Sequence, residues 1–521
     1  MTPRLSRQVL ACLPGAVRRP DFDPAGLRTG IVHIGLGAFA RAHLAWHTQP
    51  LLTGDPSWGI LGVNLRSTAT RDALAPQDGL YLCAERGGSE DRLTAMGVLT
   101  GMLVAPENPA AVVRALADPT TRIVTLSVTE KGYHRLAAQG VLDEDDPSIR
   151  HDLANPDALR TVPGFLVAAL RARGAGGVPP FTVLCCDNLP ANGNSTRSVV
   201  VRFAELVDPA LGRFIADEVA FPNTMVDRIV PATTDADRER IALVAGVRDA
   251  WPVVCEPFSQ WVIEDRFPLG RPAWERAGAE VVGDVHPYEM MKLRMLNGSH
   301  SAIAYLGQLA GWQTVSDAMT EPAMAFFIDS LIGEAAAALR MPASVDLRAH
   351  RSALLKRFAT PALRHRTAQV AMDGSQKMPQ RLFATALDRL AGGQDAPCVA
   401  LATAAWLRFL QGRSDDGSPL SLDDPKKDAL LKAARAAGDP RSLCDTIFAM
   451  DDIVPSELAR ATSFRDGVQA ALESLTILGV RGTLNKWREE RHEERTDGNA
   501  RNRRLAGGGI ISDGTGRARA G

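Results

Sequence analysis

The segment "KLRMLNGSH", from Lys292 to His300, places a lysine, an asparagine and a histidine in a stretch of helical character. On an ideal α-helix with about 100° per residue, Lys292, Asn297, His300 and the preceding Glu289 share one face. A protein interior tolerates such a polar set only with many partners, so we interpret this face as the wall of a polar cleft. The alternative is a helix that packs on the rest of the protein through satisfied hydrogen bonds.

These side chains have the chemistry needed to oxidise an alcohol or reduce a ketone beside a nicotinamide. A lysine can accept the alcohol proton at neutral pH if burial or a nearby cation lowers its pKa from about 10.4 to roughly 7–8. The Asn297 amide can donate a hydrogen bond to the alkoxide that develops, and His300 can orient the substrate. The pattern predicts that Lys292 is the acid/base of a hydride-transfer site.

A glycine-rich turn in "IVHIGLGAFARAH" supplies the second requirement, a place for a dinucleotide. The spacing Gly35-x-Gly37-x-x-Ala40 follows a predicted strand and opens a helix. The first glycine allows the tight turn, the second lets the backbone approach the pyrophosphate, and the small third residue lets the helix pack on the strand. The phosphates then lie at the helix N-terminus. The predicted cofactor-binding residues are Ile34, Gly35, Gly37, Ala38, Phe39 and Ala40; a turn needed only for packing is the alternative.

The end of the second predicted strand, "GVNLRS", bears on the choice of cofactor. An acidic residue normally holds the ribose 2′-hydroxyl of NAD at this point, whereas this sequence offers Asn64 and Arg66. We include both residues in the predicted cofactor site. NAD is the predicted cofactor, and NADP is not excluded.

Composition limits the classes of partner. With 59 lysines and arginines against 60 acids, the chain lacks the basic excess of nucleic-acid-binding proteins, so we expect a small-molecule partner. The seven cysteines show no metal-ligand spacing, which predicts no metal site and indicates a reducing compartment. No signal peptide and no run of roughly 18 apolar residues is present, so we expect a cytoplasmic protein without membrane contact.

The elements that must position these residues fall into two halves. Short apolar runs in "GIVHIGLG", "WGILGVNL", "TRIVTLSV" and "FTVLCCDN" alternate with helical patterns, which predicts a parallel sheet with helical crossovers. After about Pro287, long helical periodicity replaces the strand pattern. We predict an α/β Rossmann-like N-terminal domain at 1–286 and a mostly α-helical C-terminal domain at 287–487. A charged, then glycine-rich tail at 488–521 is predicted to be disordered; a basic interaction arm is the alternative.

The lysine helix resembles the signature of a known family. Its pattern, K-x-x-x-x-N-x-x-H, is similar to that of the mannitol dehydrogenase family, the polyol-specific long-chain dehydrogenases. The segments "VHIGLGAFARAH", "SVTEKGY", "CDNLPANG", "FPNTMVDRIVP" and "EPFSQWVIED" match that family in order, from about residue 30 to residue 480. The resemblance implies metal-independent hydride transfer with NAD, in a cleft between a Rossmann-like and a helical domain.

The same resemblance implies roles for individual residues. Lys292 would be the general acid/base, Asn188 and Asn297 would form the amide pair that stabilises the alkoxide, and His300 would position the substrate. Asn188 also ends a predicted strand, so capping of a turn is its structural alternative. An active enzyme is expected, because every one of these side chains is present.

Two acidic residues complete the implied set. Asp227 would lie near nicotinamide and substrate, and Glu130 would lie near the proton route of the lysine. Each has a structural alternative: Asp227 beside Arg228 as an ion pair, and Glu130 with Lys131 as a solvated loop.

The substrate depends on residues 362–382, "ALRHRTAQVAMDGSQKMPQRL". This stretch resembles fructuronate reductases, also called mannonate oxidoreductases, more than the mannitol enzymes, which tend to carry an arginine near the position of Gln369. Arg364, His365, Arg366 and Lys377 form a predicted cationic cluster, and the arginine fork suits a carboxylate. Solvated charges without a specific partner are the alternative.

The resulting prediction is reversible, NAD-dependent interconversion of D-fructuronate and D-mannonate. The first alternative is a mannitol 2-dehydrogenase or a related polyol dehydrogenase. A remote alternative is a non-catalytic nucleotide-binding regulator, which would be expected to have lost the lysine or one amide. The sequence leaves the oligomeric state open and is compatible with a monomer.

Overall fold

The structure is a computed structural model that describes residues 2–88, 91–136, 140–361 and 365–506, with side chains up to residue 493. The chain divides into two compact units, Met1–Glu289 and Met290–Gly521, which we call unit 1 and unit 2. The division lies close to the boundary at residue 286 that the sequence predicts.

Unit 1 contains all the strands of the described chain. They are β1 (Val17–Arg18), β2 (Thr29–Ile34), β3 (Gly59–Asn64), β4 (Tyr81–Glu85), β5 (Arg92–Met96), β6 (Leu99–Val104), β7 (Ile123–Leu126), β8 (Thr182–Cys185), β9 (Thr224–Asp227), β10 (Val253–Cys255), β11 (Gln260–Glu264) and β12 (Glu280–Val282).

A five-stranded parallel sheet has the order β6-β3-β2-β7-β8. Its strands β7 and β8 are buried along their whole length, because crossover helices cover both faces of a parallel sheet. Numbered by their place in this sheet, the strands follow the order 3-2-1-4-5 of dinucleotide-binding folds. Ligands bind such sheets where the strand order reverses, at the carboxyl ends of β2 and β7.

Two smaller sheets accompany the parallel sheet. One has the order β1-β5-β4-β10 and the other the order β12-β11-β9. Both mix parallel and antiparallel pairs, and β9 runs antiparallel to β11. These strands have two to five residues, too short for periodicity to separate them from loops.

The helices of unit 1 cover the parallel sheet and connect its strands. They are α1 (Ala38–Ala42), α2 (Leu44–Thr48), α3 (Ala69–Leu74), α4 (Pro109–Ala117), α5 (Pro147–Ala154), α6 (Val162–Ala175), α7 (Asn192–Val207), α8 (Pro209–Glu218) and α9 (Asp235–Ala245). Helix α6 buries Phe165, Leu166 and Leu170 in the core that includes β7 and β8. Helix α10 (His286–Met291) then carries the chain into unit 2.

All the regular elements in the described part of unit 2 are helices. Its α-helices are α11 (Gly298–Ala310), α12 (Val315–Met319), α13 (Pro322–Ala337), α14 (Leu347–Phe358), α15 (Thr367–Val370), α16 (Gly374–Met378), α17 (Ala384–Ala391), α18 (Pro397–Leu410), α19 (Lys427–Ala436), α20 (Pro440–Phe448), α21 (Ser456–Arg460) and α22 (Thr462–Ala506). Two π-helical segments, Lys292–Asn297 and Pro379–Phe383, interrupt this pattern. Helix α18 is apolar on nearly all sides and forms the centre of the unit. The predicted fold class, a Rossmann-like domain followed by a mostly helical one, is confirmed.

The C-terminal segment differs from the predicted disordered tail over part of its length. Helix α22 continues to Ala506, with a break at Gly479, whose φ is 66°. Its sequence from residue 486 is rich in arginine and glutamate, which favour helices, and Lys486 pairs with Glu490 one turn later. Residues 507–521 lie outside the described chain. Within the described residues, none of the helices has the length and apolar character needed to cross a bilayer.

Candidate active site

The glycine turn after β2 depends on the backbone freedom of Gly35. Its φ is +97°, and a Cβ atom there would lie 2.1 Å from the Ser127 carbonyl oxygen. The Gly35 N–H donates to the Val63 carbonyl at 2.8 Å, which fixes the turn against β3. A Cβ atom at Gly37 would meet its nearest neighbour, the Gly35 carbonyl oxygen, at 3.8 Å. The first glycine is therefore required by its own backbone, whereas the second leaves open space in front of helix α1.

Two buried polar atoms near this turn fit a dinucleotide. Asn64 ends β3 and Ser127 follows β7, so both lie beside the point where the strand order reverses. The Asn64 Nδ2 and Ser127 Oγ atoms are buried and have no hydrogen-bond partner among the described residues. Because buried polar groups are nearly always paired, these two atoms mark a place for a polar ligand. The predicted residue Arg66 follows β3 with an exposed side chain. Ser127 was not among the cofactor-binding residues predicted from the sequence.

Asp187 joins the loop that carries Asn188 to the loop that carries Glu130. Its carboxylate accepts hydrogen bonds from the Val128 N–H at 2.8 Å, the Thr129 N–H at 3.1 Å and the Tyr133 hydroxyl at 2.7 Å. Burial raises the pKa of Asp187 despite these donors. Asn188 follows with an exposed side chain. Asp187 is therefore a positioning residue that was not predicted from the sequence, although it stands directly before Asn188.

The loop with Glu130 begins with a strained residue. Thr129 has φ +64° and ψ 164°, a backbone conformation that β-branched residues rarely adopt. Such strain persists only when surrounding contacts hold it, and it concentrates at functional sites. Here the Asp187 carboxylate holds the Thr129 N–H. The exposed Glu130 then opens the single turn Glu130–Tyr133, so its position depends on this held backbone.

A second residue that the sequence did not predict, Asn192, connects the ends of β8 and β9. Its side-chain N–H groups donate to the Cys185 and Asp187 carbonyls, each at 3.1 Å. Its Oδ1 accepts from the Thr224 N–H at 2.8 Å. Asn192 thus fixes the loop of Asn188 relative to β9, which carries the other predicted side chain, Asp227. Its only signal in the sequence was its place as the second asparagine of "CDNLPANG".

Asp227 is the last residue of β9 and is nearly fully buried. The guanidinium of the neighbouring Arg228 pairs with Glu85 at 2.7 Å and donates to the Ala42 carbonyl at 2.6 Å. Arg228 therefore connects β9 with β4 and with the end of helix α1. This arrangement fixes the backbone on which Asp227 stands.

In unit 2, the lysine signature adopts a π-helix rather than the ideal α-helix used for the projection. The Gly298 N–H bonds to the Leu293 carbonyl, five residues earlier. In this geometry residues five apart lie about one turn from each other, so Asn297 points more nearly in the direction of Lys292 than the α-helical projection indicates. Both side chains are half-buried. π-Turns of this kind are frequent at functional sites.

His300 lies one turn further on and is buried in helix α11. Its ring centroid is 4.7 Å from that of Phe358 and 5.1 Å from that of His365. Burial lowers the pKa of His300 well below its ordinary value, and His365, Arg357 and Arg381 lower it further. His300 is therefore a neutral imidazole at neutral pH, with one donor and one acceptor nitrogen.

The second π-helix, Pro379–Phe383, packs against the first. A Cβ atom at Gly298 would lie 2.9 Å from the Arg381 carbonyl oxygen, so the two backbones approach closely. The Arg381 side chain reaches the same place: its Nη1 lies 3.2 Å from the Ser301 Oγ and 3.4 Å from the Asn297 carbonyl oxygen. Arg381 and Arg357 were not predicted as site residues.

The described members of the predicted cationic cluster have different surroundings. His365 lies beside His300, and its own pKa is lowered by burial and, to a smaller extent, by the charge of Lys377, which reaches it. Arg366 is exposed, and its backbone pairs with Thr314. Arg364 lies outside the described residues. Of the predicted four, His365 is thus the member in ring contact with His300.

The remaining member, Lys377, is engaged with its own turn. Its ammonium group donates to the Met372 carbonyl at 2.6 Å and lies 3.6 Å from the Asp373 carboxylate. Burial, together with the charge of Arg381, lowers the pKa of Lys377. A half-buried lysine next to Arg381 adds to the positive charge on this side of unit 2.

Comparison with known proteins gives matches along most of the chain. Residues 29–276 match the mannitol dehydrogenase Rossmann domain, and residues 284–476 match the mannitol dehydrogenase C-terminal domain. D-mannonate oxidoreductase of Escherichia coli K12 is 43% identical over 475 residues, which cover 89% of this chain and 97% of that protein. A mannitol 2-dehydrogenase of Pyrenophora tritici-repentis is 38% identical, with 93% of this chain and 86% of that protein covered.

Two solved structures show the same fold. The ternary complex of Pseudomonas fluorescens mannitol 2-dehydrogenase with NAD and D-mannitol is 37% identical, with a TM-score of 0.79 over 93% of this chain and 99% of that one. Substrate-free D-sorbitol dehydrogenase is 33% identical, with a TM-score of 0.87 over 92% of this chain and 100% of that one. The resemblance seen in the sequence is confirmed, and the chain belongs to the mannitol dehydrogenase family.

Proposed function

We propose that the protein is an NAD-dependent oxidoreductase that interconverts D-fructuronate and D-mannonate. The observation that carries the substrate class is the positive charge around the buried, neutral His300, to which Arg357 and Arg381 contribute. A substrate with a carboxylate would neutralise this charge, whereas a neutral polyol would not. The E. coli relative named D-mannonate oxidoreductase supports the same substrate.

NAD is the proposed cofactor, because the solved relative from P. fluorescens contains NAD. The glycine turn and the half-buried Asn64 and Ser127 side chains would hold it at the carboxyl ends of β2, β3 and β7. When bound, the nicotinamide supplies the hydride for reduction and accepts it in oxidation.

The proposed proton chemistry belongs to the lysine signature. Lys292 gives a proton to the ketone oxygen during reduction and takes it back during oxidation. The Asn297 amide donates a hydrogen bond to this oxygen as negative charge develops on it, and the resemblance to the family assigns the same role to Asn188. Neutral His300 accepts a hydrogen bond from one substrate hydroxyl and donates one to another oxygen, which orients the sugar chain. Asp227 is assigned to substrate binding and Glu130 to the proton route.

Mannitol 2-dehydrogenase activity is the second candidate. It is favoured by the P. fluorescens complex with D-mannitol and by the 38% identity to the P. tritici-repentis enzyme. The same Lys292 chemistry would serve a neutral polyol, so the two candidates differ in the role of the cationic groups in unit 2.

Initial rates with D-mannonate and with D-mannitol, each with NAD and with NADP, separate the candidates. A charge-assisted hydrogen bond contributes roughly 1.5–3 kcal/mol, so we expect kcat/KM to favour mannonate by about 10- to 100-fold or more. A preference for mannitol would overturn the proposed substrate. Absence of dehydrogenation with either compound would overturn the oxidoreductase proposal itself.

A further inference from the structure

Arg381 is a part-buried cation without an acidic partner among the described residues. Its hydrogen bonds there go from Nη1 to two neutral oxygens, those of Ser301 and Asn297, at 3.2 and 3.4 Å. Burial lowers its pKa, whereas interactions with Tyr305 and Asp373 raise it. A cation held away from water is costly unless an anion or a full set of acceptors compensates it.

Two buried arginines elsewhere in the molecule have more partners than Arg381. The Arg228 guanidinium has a carboxylate partner, Glu85, at 2.7 Å. Arg173 forms no such ion pair with the described residues, but its guanidinium donates to four backbone carbonyls. Arg381 has neither arrangement, although it is largely withdrawn from solvent.

The nearest acidic groups are already engaged with other partners. Asp373 lies 3.6 Å from the Lys377 ammonium group. Asp424 accepts from the Ser375 N–H at 2.8 Å and from the Ser375 hydroxyl at 2.6 Å. The charge of Arg381 lowers the pKa of Lys377, so the two cations lie close enough to interact. Neither carboxylate forms an ion pair with the Arg381 guanidinium in the described part of the chain.

The position of Arg381 indicates which anion. Its Nη1 donates to the backbone carbonyl of Asn297, whose side-chain amide is the proposed donor to the reacting oxygen. It also donates to the hydroxyl of Ser301, which adjoins the proposed substrate ligand His300. A guanidinium presents several N–H groups in one plane, a geometry that matches the two oxygens of a carboxylate.

We propose that Arg381 binds the carboxylate of the sugar-acid substrate and thereby makes the enzyme prefer an acid over a neutral polyol. This inference rests on the proposed function and assigns the substrate class to one residue that neither the signature nor the predicted cationic cluster contains. No electron or proton transfer is attributed to Arg381, which acts by binding alone.

The test compares Arg381→Met with the wild-type protein on D-mannonate and on D-mannitol, with NAD in both cases. We expect kcat/KM for mannonate to fall by about 100-fold, mainly through KM, while the value for mannitol stays within about threefold. The matched control is Arg389→Met in α17, because the Arg389 Nε donates to the Asp395 carbonyl away from these residues. The control should leave both substrates unchanged.

Equal falls in kcat/KM for both substrates would show that Arg381 only supports Asn297, and this result would overturn the proposal. A fall in kcat for mannonate with an unchanged KM would overturn it as well. If Arg381→Met does not fold, Arg381→Lys keeps the charge and loses the fork. For that variant we expect an approximately tenfold fall for mannonate and no change for mannitol; equal effects would again be contradictory.

A wild-type preference for mannitol would overturn the proposed function by itself. Inhibition of mannitol oxidation by mannonate then tests Arg381 separately. Weaker inhibition in Arg381→Met than in the wild type would support carboxylate binding at this residue. Equal inhibition would overturn it.

Discussion

The two units hold their functional side chains by different means. In unit 1, residues at the ends of parallel strands are fixed by backbone hydrogen bonds and by saturated polar side chains such as Asp187 and Asn192. In unit 2, Lys292, Asn297 and Arg381 lie on two distorted helices that pack against each other, with incompletely compensated positive charge nearby. In unit 1, the carboxyl ends of regular strands thus fix the positions of the functional side chains. In unit 2, the corresponding side chains are positioned by π-helices, which depart from regular α-helical structure.

The difference has an energetic side as well. The glycine turn is constrained by its own chain, since Gly35 has a positive φ and almost no space for a side chain. The lysine signature is constrained by a partner helix 84 positions away in sequence. Changes in the glycine turn should therefore act on cofactor binding and folding, and changes in the side chains of the lysine signature should act on the chemical step.

The largest effect is expected from Lys292→Ala. Loss of the general acid/base should lower kcat by about 10²- to 10⁴-fold, while the dissociation constant for NAD stays close to the wild-type value because unit 1 is unchanged. Stopped-flow rates and fluorescence titration with NADH measure the two quantities. Lys356→Ala, at an exposed position in α14, is the control and should leave both unchanged. Retention of activity in Lys292→Ala would remove the separation of roles between the units.

Gly35→Ala tests the self-constrained turn of unit 1. A Cβ atom 2.1 Å from the Ser127 carbonyl oxygen, at φ +97°, should cost about 2–4 kcal/mol in the free energy of unfolding and abolish NAD binding. Gly37→Ala is the matched comparison, because its Cβ meets no atom closer than 3.8 Å. It should leave the melting temperature nearly unchanged and weaken NAD binding. Equal destabilisation by both would contradict the distinction between the two glycines.

Gly298→Ala tests the contact between the two π-helices. Its Cβ would lie 2.9 Å from the Arg381 carbonyl oxygen, so the helices must separate by a few tenths of an ångström. We expect kcat/KM to fall by about tenfold and the free energy of unfolding to fall by about 1–3 kcal/mol. Ser299→Ala removes a buried hydroxyl that lacks a partner in the described structure and should be neutral or stabilising. An unchanged Gly298→Ala enzyme would show that the chemistry does not depend on this contact.

The smallest expected effect concerns pH. Burial lowers the pKa of His365, so in the folded protein it binds a proton less readily than in the unfolded chain. Neutral His365 therefore makes its full contribution to the free energy of unfolding above the ordinary histidine pKa of about 6.5. This contribution is lost as the pH falls below that value, because the unfolded chain binds the proton more readily. In His365→Gln, urea unfolding between pH 7 and pH 5.5 should show a smaller loss of stability than in the wild type. The difference should be at most about 1.4 kcal/mol per pH unit, and a larger loss in the variant would contradict the sign of the shift.

Regular structure was the part of the molecule that sequence patterns could predict. The four quoted apolar runs contain β2, β3, β7 and β8, and the glycine spacing identified the turn whose strain Gly35 relieves. The helical character of unit 2 followed from its periodicity. These features depend on neighbours a few positions apart in the chain, which is the range over which periodicity and turn residues carry information.

The distorted and distant features could not be predicted in the same way. A π-turn changes the direction of Asn297 without changing the composition of its helix, so the ideal projection gave the wrong angle between Asn297 and Lys292. Arg381 meets Ser301 across 80 positions of sequence, and no local pattern distinguishes it from the exposed Arg366. Tertiary packing, rather than residue spacing, decides which arginine is withdrawn from water.

The hydrogen bonds of Asp187 have a further consequence for ligand affinity. Ordering a flexible residue costs about 1–2 kcal/mol of conformational entropy, and a loop that orders only on binding takes this cost from the binding free energy. The Val128, Thr129 and Tyr133 donors restrain the Glu130 loop before any ligand arrives, so most of that entropy is already lost during folding. Cofactor and substrate therefore meet a preorganised surface, and their association rates should not be limited by closure of this loop.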